Sequence, residues 1–568
     1  MRGVFFFSSL VAALVVAAYP APAHACGGFF CDNSQPVNQA AERIIFSQSP
    51  TGEVTAVIQI QYQGPSERFA WLLPVTGSPE IGVSSDAAFS RLQSATNPQY
   101  MLRTTVEGTC HDPFDSFRGS PSGASDAGAS PDSAASDAGA GISVVDAGNV
   151  GPYDYVIISV EGEPENPADV ALEWLADNEF DVSDFGGEIL GEYLERGMNL
   201  LAFRLSKGNS AGSIRPVRIS FGQGAPSIPI RPTAVAANDD MGVMVWVLGR
   251  ARAIPANYRH LELNEALINW LSPTATYNSV VIQAANEAGG QGFVTEMAAD
   301  AAPFADVIWS DFGNFDGIAD ADWTDNKRGL LFELQRSYAS IDGVLDVFRR
   351  HVPLPAELEG TVSEDDYWAC FGCWGLPSEA ELAELDVEVF LTDFRDEVID
   401  PMEDTADLFR NAAKMTRLYT TMSAHEMTVD PLFDFNADLE DYSNVHNAER
   451  IIECSELVTR GEAPWRVVLP NGDVVRGEGF SWPFTVGDDD MPANRRILRV
   501  GTEGNGSVLT DNGPSIADTL AAHNATIPGP PVFVGGGGSE CNAGGSTGLG
   551  FVALVGLALV FVRRRRSA

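Results

Sequence analysis

Lysine is almost missing from this chain: only Lys207, Lys327 and Lys414 stand among its 35 basic residues. Positive charge of any kind is scarce, since those 35 face 78 Asp and Glu and leave a formal charge of −43. A surface this negative repels phosphate backbones, which excludes nucleic acid as a partner. A solvated acidic surface that resists aggregation accounts for the charge by itself. Histidine is also rare, at seven residues. His425-Glu426 has Val429 where a metalloprotease helix would carry its second histidine. His111, His260, His351 and His446 form no ligand spacing and read as solvated or core residues. Long apolar runs occur only near the two ends. What remains is globular in composition, 568 residues with 45% hydrophobic and 9% aromatic. That excludes collagen-like, coiled-coil and wholly disordered architectures.

Both ends read as address labels. Met1-Arg2, an apolar stretch from Val4 to Ala18 and Ala23-His24-Ala25 make residues 1–25 a secretory signal peptide, with Cys26 the first mature residue. A cysteine there raises lipidation as an alternative, but Ala23 and His24 stand where that pattern wants Leu and a small residue. At the other end, a Gly-rich stalk (528–548) precedes the apolar run 549–562 and an Arg-rich tail, 563–568. The strict run has 14 residues, and counting small residues back to Gly544 gives 19, enough for one span of a thinned bilayer. Arg563, Arg564, Arg565 and Arg566 should stay cytoplasmic, so the body lies outside, anchored to the membrane at its C-terminus. The expected location is the cell envelope or cell surface. Glycine linker, single Cys541, apolar run and arginine cluster together resemble the tripartite C-terminal sorting signal of exported myxobacterial proteins. That resemblance implies a sorting protease acting near Cys541 and delivery to the surface. It carries an address and no activity.

The cysteines fit an oxidising compartment. Setting Cys541 aside leaves Cys26, Cys31, Cys110, Cys370, Cys373 and Cys454. Local pairs give Cys26–Cys31 and Cys370–Cys373, and elimination leaves Cys110–Cys454. Cys370-Phe371-Gly372-Cys373 has redox spacing, but Gly375 and Pro377 argue against the helix such a site opens, so a structural disulfide is the better reading.

Residues 118–149 are a Ser/Ala/Gly/Asp insertion with little apolar surface to bury, expected to stay flexible. It divides a β-rich region into 26–117 and 150–270; residues 271–527 form a C-terminal α+β region. Arg43–Gln48 and Glu53–Gln63 flank Ser49-Pro50-Thr51-Gly52 as a hairpin. Further strands are expected at Phe69–Val75, Tyr153–Val160, Asn199–Ser206, Arg215–Phe221, Ile228–Ala236 and Gly242–Leu248. Helices are expected at Asp86–Ser94, from Asn166-Pro167-Ala168, and at Asp404–Met415, where Leu408, Ala412 and Met415 keep helical spacing. In Trp465–Val475, Asn471-Gly472 offers the two positive-φ residues of a tight hairpin. Strands and helices without regular βαβ alternation predict an α+β fold, with mixed, largely antiparallel sheets and a more helical second half.

Cys26-Gly27-Gly28-Phe29-Phe30-Cys31 and Phe69-Ala70-Trp71-Leu72-Leu73-Pro74-Val75 resemble an exported bacterial family, domain-of-unknown-function family twenty-three thirty. Trp174-Leu175-Ala176-Asp177-Asn178 and Asp240-Met241-Gly242-Val243 are similar to it too, as are Thr416–Met422 and Glu426–Pro431. The resemblance would extend from residue 26 to about 450. It implies export and brings no activity, so it assigns no catalytic residue.

The chemical candidates stand on their own. Gly208-Asn209-Ser210-Ala211-Gly212 matches the hydrolase elbow pattern, but Ile214, Val217 and Ile219 continue as a strand where that chemistry needs a helix. Gly544–Gly548 matches too and falls in the stalk. Asp434, Asn436 and Asp438 at alternate positions, then Glu440 and Asp441, offer hard oxygen ligands suited to calcium. Leu439 and Val445 replace the Gly and Glu of a calcium loop, so a solvated acidic loop is the other reading, as it is for Asp311–Asp325. No cofactor other than calcium is indicated. The function expected from these features is binding or envelope structure at the cell surface, and the alternative is an extracellular hydrolase without a readable motif.

Overall fold

The computed structural model describes residues 39–59, 70–110, 142–162, 166–178, 186–205, 214–234, 237–352, 354–355, 357–358, 360–369, 371–374, 377, 381–487 and 491–531. The signal-like segment, Cys26, Cys31, most of the acidic insertion, both Gly-x-Ser-x-Gly matches, Cys370, Cys541, the apolar run and the terminal arginines lie outside the described residues. No helix among the described residues is long and apolar enough to cross a membrane.

The chain opens with β1 (Gln39–Gln48) and β2 (Glu53–Gln59), then β3 (Ala70–Val75), β4 (Glu80–Val83), α1 (Asp86–Thr96) and β5 (Gln99–Glu107). β6 (Ile142–Val150), β7 (Tyr153–Val160), α2 (Pro167–Asp177), α3 (Gly186–Glu195), β8 (Asn199–Leu205) and β9 (Val217–Gln223) follow. Next come α4 (Ile230–Thr233), β10 (Ala237–Gly249), β11 (Arg252–Pro255), β12 (Arg259–Leu263), α5 (Tyr277–Glu287) and β13 (Gly292–Asp300). Helices then take over with α6 (Ala302–Ile308), α7 (Phe315–Ala319), α8 (Lys327–Tyr338), α9 (Val344–His351), α10 (Glu364–Ala369), α11 (Phe371–Trp374), α12 (Val387–Phe394) and α13 (Asp400–Arg410). Strands return as β14 (Lys414–Met422), β15 (Phe433–Asn436), β16 (Val445–Glu453), β17 (Trp465–Val468), β18 (Val474–Gly477), β19 (Asn494–Arg499) and β20 (Ser507–Asp511), before α14 (Gly513–Asn524).

Ten strands form the central sheet in the order β20-β19-β12-β13-β14-β10-β1-β2-β9-β4. Most neighbours run antiparallel, but β1 pairs in parallel with β10, and β12 with β13. Period-two alternation sorts its side chains onto two cores. Ile45, Val57 and Trp246 face the helices of 302–410, whereas Ile44, Phe46, Val54, Val245 and Val247 pack on the opposite side with Phe293 and Phe433. Two four-stranded sheets, β3-β8-β7-β6 and β18-β17-β16-β5, flank the large one. The fold is α+β, with mostly antiparallel sheets.

Four local expectations need correcting. Of the strand expected over Ile228–Ala236, the described residues 228–234 are not a strand: Ile230–Thr233 makes a helical turn, since Pro229 and Pro232 have no N–H for a ladder. The helix expected over Asp404–Met415 spans Asp400–Arg410, and Met415 sits on β14. Leu408 and Met415 both meet the helical core from two different elements, which imitates one helical stripe. The Trp465–Val475 hairpin exists, but its loop is 469–473, and only Gly472 has positive φ, at +88°. Near Cys373 the chain does form a helical turn, Phe371–Trp374.

Candidate functional site

Strand β5 pairs in parallel with β16, and their register puts Tyr100 directly beside His446. The rings stack with centroids 4.7 Å apart. Just past the other end of this pair, Cys110 and Cys454 form a disulfide with Cα atoms 4.7 Å apart, as elimination had paired them. Gly108 makes that approach possible. It holds φ at +84°, and a Cβ there would lie 2.3 Å from the Cys454 carbonyl oxygen. Cys373 is also disulfide-bonded.

His446 Nδ1 meets the Glu265 carboxylate at 2.6 Å. A carboxylate only accepts, so Nδ1 is the donor of this contact. Glu265 opens a short turn after β12, capped by the Asn264 side chain. Tyr100 packs edge-on against Trp270 at 5.0 Å and lies 5.8 Å from Tyr277. Burial, then the Glu265 carboxylate, holds the Tyr100 phenol well above its usual range.

The second half of the cluster grows from a bulge. The pairing of β13 with β14 shifts between Thr295 and Met297, so Glu296 is the extra residue. A bulge re-aims its side chain. Here the Glu296 carboxylate forms an ion pair with Arg417 on β14, and both residues are 2% exposed. Tyr277, the first residue of α5, donates its hydroxyl to the other Glu296 oxygen. Burial, then Glu296, pushes the Tyr277 phenol far up. Arg417 in turn donates to Thr96 Oγ1 at 2.9 Å and lies over the Trp246 ring.

Tyr100, Glu265, Tyr277, Glu296 and His446 line one cleft of about 1070 Å³, together with Arg252, His260, Tyr442, Asn447 and Asn471. Tyr442 is held by paired backbone bonds to Ala298, 2.8 Å each way. Its phenol is pushed up to about 12 by burial and Glu265. The His260 imidazole is pushed down to about 4 by burial and the Arg252 guanidinium, so it is neutral at ordinary pH.

The acidic run reaches the rim of this cleft through Asp438 and Glu440, but its side chains go separate ways. Asp434 accepts from the Phe435 N–H, and Asn436 donates to the Gly501 and Gly504 carbonyls. Asp438 accepts the Gly504 N–H at 2.7 Å, and Asp441 pairs with Lys414 at 2.7 Å. In the other acidic stretch, Asp311 accepts from Tyr338 and the Phe315 N–H. Among the described residues, no group of three or more His, Cys, Asp or Glu could hold a metal ion. His425 lies on a short turn, and His351 pairs with Asp393 at 2.7 Å.

The sequence motifs include His446, His260 and, within Thr416–Met422, Arg417 without placing them in a site, and Tyr100, Tyr277, Glu265 and Glu296 carry no motif. A signal was present for two of them. Glu296 and Arg417 each stand in an otherwise uncharged strand stretch, Phe293–Ala299 and Met415–Met422, where a charge survives burial only if paired.

Fold and site together define an α+β protein with a polar, tyrosine-rich cleft at the junction of two sheets. The chain belongs to the bacterial family described as "Uncharacterized protein conserved in bacteria (DUF2330)", whose profile matches residues 20–333. Tyr100, Glu265, Tyr277 and Glu296 fall inside that match, and Arg417, Tyr442 and His446 fall beyond it. No curated protein and no solved structure matches the chain.

Proposed function

We propose that this is an exported protein, anchored at the cell surface, that binds a polyhydroxylated ligand such as a saccharide in the cleft. The observation that carries the reading is the convergence of three tyrosines, carboxylates, arginines and amides in one cavity. Tyrosine faces accept the apolar face of a sugar ring, while mixed donors and acceptors satisfy its hydroxyls. Signal-like start, cysteine usage and the tail support export. The acidic body reads as solvation, and calcium at Asp434, Asn436, Asp438, Glu440 and Asp441 is not needed for this reading.

The test is a glycan array followed by calorimetry on the full chain. Tyr100→Ala should weaken the best ligand by at least about tenfold, or about 1.4 kcal/mol, with the fold intact. Equal affinity in wild type and variant would remove the cleft from the reading. For the address, Cys541→Ala should leave an unprocessed form in the inner membrane. If that variant is processed and surface-exposed like wild type, the sorting resemblance fails and only a plain anchor stands.

One observation favours the hydrolase alternative: Ser443 lines the same cleft as the Glu265–His446 pair. Its Oγ accepts from the Val445 N–H at 3.0 Å. A Ser443→Ala variant that lost turnover of a bound ester or glycoside, yet kept binding, would establish the enzyme.

A further inference from the structure

A second cavity, of about 690 Å³, lies away from the cleft, between the central sheet and α3. Its size falls within the range of about 300–1,000 Å³ usual for small-molecule sites. Its floor is the sheet face that carries Phe46, Ala56, Ile58 and Phe221, and Leu73 and Val75 of β3 close one side. The charged lining is gathered at one side: Arg231 grips Glu192 with two contacts of 2.6 Å and its backbone N–H donates to Asp430 at 3.2 Å. Tyr193 donates to the same Asp430 at 2.6 Å.

Arg196 is the least committed member of the cluster. Its link to Glu192 is 3.4 Å long, and its side chain is 60% exposed. The cavity thus separates an apolar chamber from one cationic group that an incoming acid can recruit.

We propose that this cavity binds a single long aliphatic chain whose acidic head is met by Arg196. Apolar walls of this kind gain affinity with each methylene they bury, so chain length sets affinity and the arginine sets orientation. Free fatty acids and single-chain phospholipids share this chemistry.

The test uses the full chain in amphipol, free of detergent, with cis-parinaric acid as a fluorescent probe. Saturable one-to-one binding is expected, with displacement by palmitate stronger than by hexadecanol. Ala225→Trp, at an exposed position of the mouth, should weaken the probe by at least about tenfold. Ala56→Trp should do the same from the floor. Arg196→Glu should abolish the preference for palmitate over hexadecanol. Tyr100→Ala should change nothing here, which separates this site from the cleft. Stronger displacement by lysophosphatidic acid than by palmitate would support the site with a single-chain phospholipid as its source. Absence of saturable binding would overturn the proposal, as would wild-type affinity in both tryptophan variants.

Discussion

Glu296 and Arg417 are each only 2% exposed, and neither can lose its partner cheaply. A buried ion pair broken from one side costs about 3–5 kcal/mol, because the remaining charge stays in a poor solvent. Glu296→Gln should therefore destabilise the protein by about that amount, measured by urea denaturation. Adding Arg417→Met should restore much of the loss, since no orphan charge then remains. His260 makes the second residue-scale prediction. Its imidazole is held at about 4 against an ordinary value of 6.5. The stability it contributes is complete above the ordinary value and is lost as pH falls through about 4. Replacing it with Gln should flatten that acid slope, with Tm followed from pH 7 to pH 4. An unchanged slope would mean that His260 keeps access to water.

At the scale of elements, α1 and the β5–β16 pair decide most. The first residue of α1, Asp86, donates its backbone N–H to the Asp342 carboxylate and accepts from Gln59. Burial, then Asp342, raises the Asp86 carboxyl to about 6, against the opposing charges of Arg43 and Arg215. A raised carboxyl contributes stability that is present below its ordinary value of 3.8 and lost as pH climbs through about 6. That is opposite in sign to His260, so the two variants separate the slopes. Asp86→Asn should stabilise the protein at pH 7.5 by up to about 3 kcal/mol and by little at pH 4. In the β5–β16 pair, the Cys110–Cys454 bridge lies at the far end from the Tyr100–His446 stack. The Cys110→Ala, Cys454→Ala double variant should lose about 2–5 kcal/mol of stability. Ligand affinity at the cleft should fall with it, as calorimetry would show.

For the whole molecule, what was legible in the sequence depended on how local its cause was. The β1–β2 hairpin, β7 and the start of α2 follow from turn residues, alternation within a few positions and a proline at a helix start, and the structure has them, as it has α1. The break between Arg410 and Lys414 was hidden because Leu408 and Met415 enter one core from two elements. The cleft was hidden for a larger reason. Its members come from β5, the turn after β12, α5, β13 and β16, and only long-range pairing brings them together. The family match ends at residue 333, short of the 450 that the motifs implied. The central sheet does not end there: β14 lies between β13 and β10, and β19 covers β12. A fragment stopping at residue 333 should therefore aggregate, whereas one continued to 531 should be soluble, which expression of both would show.

The parallel β5–β16 pairing has a consequence for time rather than for shape. Cys110 and Cys454 are 344 residues apart. Synthesis runs from the N-terminus, so Tyr100 exists long before His446 does. Until then β5 has no neighbour in its sheet, because it stands at the edge of that sheet beside β16 alone. Pairings this distant fold slowly and leave apolar strands waiting. The last third of the chain is thus the clock for maturation. The disulfide, formed only once that third has arrived, records that the molecule has been assembled to its end.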